Sequence, residues 1–107
     1  MDAAGLANLI LTEAIKTGGS TWTKIQKSAP LYVRGYARTL IDIAEGVAAG
    51  EITKKDAAMY VTNAGLLLVM GIANTSQIVL TQVQSFMDTV LAALKTAING
   101  ALPVAIL

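Results

Sequence analysis

Residues 57–87 run for 31 positions without one Asp, Glu, Lys, Arg or His. Thirteen of the 15 charges lie in residues 1–56, and only Asp88 and Lys95 follow. A stretch that long and bare must be hidden from water by lipid, by the rest of the fold, or by other copies of the chain. The apolar side chains are mostly aliphatic, because only five of the 107 residues are aromatic. Thin aliphatic side chains rich in Ala and Leu favour packed helices, so the expected class is all-α and the length suits one domain. Charged residues make up 14% of the chain, against about 25% in an ordinary soluble domain.

The same inventory removes whole classes of chemistry. Cysteine and histidine are both absent, which excludes disulfides, thiolate nucleophiles and the usual zinc sites. No phosphate-cradling glycine loop or nucleophile elbow occurs. The expectation is therefore a protein that is not an enzyme, with no cofactor, no metal and no small-molecule substrate. A net charge of +1 gives no reason to expect nucleic acid. Five cations and no acid lie between Lys16 and Arg38; a solvated face is the plain reading, and a patch facing phosphate or anionic lipid is the alternative. Met-Asp-Ala-Ala-Gly lacks the cationic start of a cleavable signal peptide, and Gly5 is too late for myristoylation.

Helix punctuation divides the chain. Residues 2–16 read as a short helix capped by Asp2, and 17–29 as a Gly-rich connection in which Trp22 and Ile25 occupy a turn. Pro30 suits a first helical turn, so 30–49 is a second helix, with Val33, Ala37, Leu40, Ala44 and Val47 at seam spacing. Gly50 stops it, and Thr53 with Asp56 has the form of a capping box. A stop followed at once by a start predicts a helical hairpin. The third helix is expected over 53–99, either continuous or broken near Asn74 to give four helices, and 100–107 is an apolar tail.

At about 100° per residue, one register aligns Asn74, Gln77, Thr81, Gln84, Ser85, Asp88, Lys95 and Asn99 in a narrow polar stripe. Asp56 and Asn63 fall on the same line when the register is carried backwards. Leu80, Val83, Phe86, Met87, Val90, Leu94, Ala97 and Ile98 occupy the rest of the circumference and are assigned to an interface between copies. Such a cylinder inverts the proportions of a surface helix. It belongs in an oligomeric bundle, in a bilayer with the stripe facing a lumen, or at the centre of a compact monomer. Small residues at Thr89, Ala93, Ala97 and Ala101 would let helices approach closely.

Other candidate groups carry less. Trp22, Tyr32, Tyr36 and Tyr60 beside Arg34 and Arg38 could form a stacking platform, but amphipathic aromatics at an interface or packed under the Gly-Gly loop are the better reading. Asp42 and Glu45 supply too few ligands for a metal. Asp88 and Lys95 read as a contact between helices or subunits. The expected protein is thus a helical hairpin with a long apolar C-terminal helix, three to four helices in an oligomeric bundle. Its expected role is structural self-assembly through that helix, as in a virion interior or ejection machinery. The alternative is a membrane-inserting pore, channel or lysis-type bundle with the stripe lining a lumen.

Overall fold

Asp2 opens the first helix by accepting the Gly5 backbone N–H on Oδ1 at 2.8 Å, which satisfies one of the donors a helix start leaves without a partner. The computed structural model describes all 107 residues as four helices and no strand. They are α1 (Ala3–Ile25), α2 (Ala29–Ala48), α3 (Lys54–Ser76) and α4 (Leu80–Ala101). The all-α expectation holds, and the two weak points read in the sequence, Gly18-Gly19 and the Asn74 region, both interrupt helices.

The first is at Gly18-Gly19. The chain does leave helical geometry there, as the paired glycines predict: Gly19 has φ 47° and ψ −129°, a conformation glycine reaches without steric cost, and α1 is two helical pieces meeting at this kink. Helical geometry resumes at once and runs to Ile25, which is fully buried. The connection expected over 17–29 therefore shrinks to the turn at Gln26–Ser28. Gly18 is buried because Trp22 and the ring of Phe86 lie against its Cα.

Of the two alternatives for 53–99, the broken one is found: α3 and α4 are separate helices, parted three residues beyond Asn74. Thr75 Oγ1 donates to the Gly71 carbonyl at 2.8 Å and to that of Ile72 at 3.3 Å, competing for the helix's own acceptors. Gln77 then adopts the left-handed conformation (φ 56°, ψ 37°) and its N–H donates to the Ala73 carbonyl. The Ile78 N–H reaches the same carbonyl at 3.2 Å. This is the left-handed ending that glycine normally supplies. Only Ile78 and Val79 separate it from α4.

Each helix packs on its sequence neighbour, α4 returns to α1, and α1 also touches α3 across the centre. The core is wholly apolar, with Leu6, Ile10, Ile25, Val33, Leu40, Ile72, Val83, Met87, Val90 and Ile98 almost completely enclosed. On α2 the seam spacing is realised, since Val33, Ala37, Leu40 and Ala44 are all buried. Thr53 caps α3 by accepting the Asp56 N–H at 3.1 Å.

Candidate interaction surface

Five of the eight residues assigned on sequence to a surface between copies lie in the chain's own core. Val83, Met87, Val90, Leu94 and Ile98 are each 9% exposed or less, enclosed by α1 and α3. That assignment is corrected: α4 is an ordinary amphipathic helix whose apolar side is used up within one chain. Phe86 is half-buried, while Leu80 and Ala97 face solvent.

The polar stripe divides as well. Thr81, Gln84, Ser85, Asp88 and Lys95 are exposed along the outer side of α4. Asn74 and Gln77 belong to the end of α3, beyond the break, so the stripe is not one continuous line. Asn99 has a separate task. Its Oδ1 accepts the backbone N–H groups of Ile106 and Leu107 at 3.1 and 2.9 Å, and its Nδ2 donates to the Leu107 carbonyl at 3.2 Å. One amide thereby folds the apolar tail back over the bundle.

The apolar surface left uncovered is on α3 and the edge of α2. Met59 is 61% exposed, Tyr60 47%, Leu66 48%, Leu67 60% and Met70 47%, with Leu31 of α2 at 65%. Leu31, Tyr60, Leu67 and Met70 of this set line a groove of about 690 Å³ between α2 and α3. Tyr32, Tyr36 and Tyr60 all line this groove, together with Asn63 and Asn74. Three of the four aromatics considered together on sequence thus line one groove, while Trp22 is packed at the α1 bend. Arg34, Arg38, Asp42 and Glu45 remain solvent-exposed on α2.

The Tyr32 ring lies against Gly71, where an added Cβ would collide with it. That close approach brings α2 onto the second half of α3. The neighbouring Tyr36 phenol is pushed up to about 12 by burial, which disfavours the charged phenolate.

A single helix, α3, is long and apolar enough to cross a membrane, and 33% of its most apolar window is buried within the fold. Sequence reasoning missed the α3 face as the uncovered one. The signal was available: Tyr60, Asn63, Leu67, Met70 and Asn74 recur at 3-4-3-4 spacing with no charge among them. No protein-family model matches the chain, and neither a characterised protein nor a solved structure shows significant similarity to it.

Proposed function

We propose that this is a non-enzymatic structural protein that assembles with copies of itself through the outer face of α3. The observation that carries the reading is the run of exposed Met59, Tyr60, Leu66, Leu67 and Met70 on α3, which carries no charge beyond its first turn. Scattered apolar side chains on a surface need no explanation, whereas a contiguous patch marks a contact with protein or lipid. The self-assembly expected for α4 moves to α3, because α4 satisfies its apolar side internally. Component status in a larger helical assembly is compatible with this reading.

The test is the mass of the detergent-free protein by light scattering, for the native chain and for Leu66→Asp. A defined oligomer that the substitution reduces to monomer supports the reading. A native monomer at high micromolar concentration rules it out.

A membrane-inserting role is the second reading, favoured by the length and hydropathy of α3. It requires the bundle to open, since Ala64, Leu68, Val69 and Ile72 of the same helix are buried in the core. Flotation of the purified protein with lipid vesicles separates the two. Co-migration with vesicles and leakage of their contents favour insertion; a soluble oligomer that ignores lipid favours assembly.

A further inference from the structure

The spacing on α3 also specifies how two copies would meet. Asn63, Leu67, Met70 and Asn74 follow one another at 4-3-4 and lie along one line of the helix. All four are exposed and all four line the α2–α3 groove. The pattern is symmetric about the midpoint between Leu67 and Met70. Turned end for end, the helix therefore presents an amide where it had an amide and an apolar side chain where it had one.

We propose that α3 packs antiparallel against α3 of a second copy, with Asn63 hydrogen-bonded to Asn74 of that copy and the reverse contact related by a two-fold axis. The proposal rests on the self-assembly reading and adds its geometry. In such an isologous contact residue i meets j and j meets i, so Leu67 packs on Met70 twice at the centre. Both amides in the apolar seam then find partners, and polar groups in such seams are known to fix register and copy number.

A parallel pairing is disfavoured by three features. It sets Asp56, which lies on the same line one turn before Tyr60, directly against its own copy. Lys54 and Lys55 would likewise be brought to one end, and the two helix dipoles would align head to head. The antiparallel arrangement separates all of these charges by the length of the helix. The exposed Met59, Tyr60, Leu66, Leu67 and Met70 of α3, with Leu31 beside them, supply the apolar part of such a contact, of which a standard interface needs roughly 800 Å² per partner in all.

The chain has no cysteine, so engineered thiols report this geometry without background. Asn63→Cys and Asn74→Cys proteins, mixed in equal amounts and mildly oxidised, should give the mixed disulfide as the main crosslinked species, at least several-fold above either self-crosslinked product. Bridging requires Cα atoms about 4.4–6.8 Å apart, so the pair that links names the pairing. Self-crosslinking of Asn63→Cys alone would show a parallel seam and overturn the proposal. Absence of any crosslink in a mixture that still weighs as an oligomer would overturn it while leaving self-assembly standing. A monomeric native protein would overturn both. Asn63→Leu in the cysteine-free chain gives a second readout: association persists, but one stoichiometry becomes a mixture. An unchanged single stoichiometry counts against a register role for the amide.

Discussion

The ring of Tyr32 rests on the bare Cα of Gly71, and this contact determines how closely the first half of α2 approaches the second half of α3. Gly71→Ala is expected to destabilise the fold by about 1–3 kcal/mol, because the new methyl overpacks against a rigid ring. Gly65→Ala is the control on the same helix. A Cβ there meets nothing within 4 Å, so the exchange should stabilise by about 0.5–1 kcal/mol through helix propensity alone. Urea denaturation of the two variants should move the midpoint in opposite directions.

Gln77 pays for the break between α3 and α4, since a side chain in the left-handed region costs about 1–2 kcal/mol. Gln77→Gly removes that strain and should raise Tm by a few degrees, at roughly 4–8 °C per kcal/mol for a domain of this size. Gln77→Val should lower it, because a β-branched residue fits this conformation least well. Opposite shifts for the two variants, read by thermal melting, check that the turn and not some contact of the amide is responsible.

Helix class and most capping signals were legible in the sequence because each is local. Asp2, Thr53 and the Gly50 stop act within a few residues of themselves. The left-handed turn at Gln77 was not, because nothing in that side chain advertises such a conformation; the preceding Asn74-Thr75-Ser76 marked only a weak point in the helix. The misreading of α4 has a different origin. Ala97 is assigned on sequence to the interface and Ala93 to a ladder of small packing residues, yet both are exposed, as is Ala92. A methyl group costs little in water, so they widen the solvent face from a narrow stripe to nearly half the helix. On α3 the same faces hold Met, Tyr and Leu, whose exposure is expensive. Residue size, more than apolar count, separates the covered helix from the uncovered one.

Alkaline conditions should weaken the fold through Tyr36. Its phenol titrates near about 12 in the folded chain and near about 10 when unfolded. Between those values the unfolded chain releases the proton while the folded chain keeps it, so unfolding gains free energy as pH rises. The full stability is present below pH about 10 and is lost progressively up to about 12, on the order of 2–3 kcal/mol. Tyr36→Phe should flatten this part of the curve. The relevant quantity is the difference between the two proteins in denaturant midpoint across that pH window; an equal alkaline decline in both would assign the loss to other groups.

Asn99 should control the environment of Tyr36 from a distance. Its three hydrogen bonds hold Ile106 and Leu107, and these two residues line a second cleft with Tyr36, Val61 and Leu91. Asn99→Ala removes the acceptor and the donor together, which should cost about 1–3 kcal/mol and release the tail. Water then reaches the phenol, and its titration should fall from about 12 back toward the ordinary value. Asn99→Asp keeps an acceptor for both tail N–H groups but turns a second, charged acceptor toward the Leu107 oxygen, so it too should loosen the tail. Ultraviolet absorbance titration of the phenol in the three proteins, beside their urea midpoints, measures the coupling. A Tyr36 titration unchanged in Asn99→Ala would mean that α2 and its helix neighbours bury the ring without help from the tail.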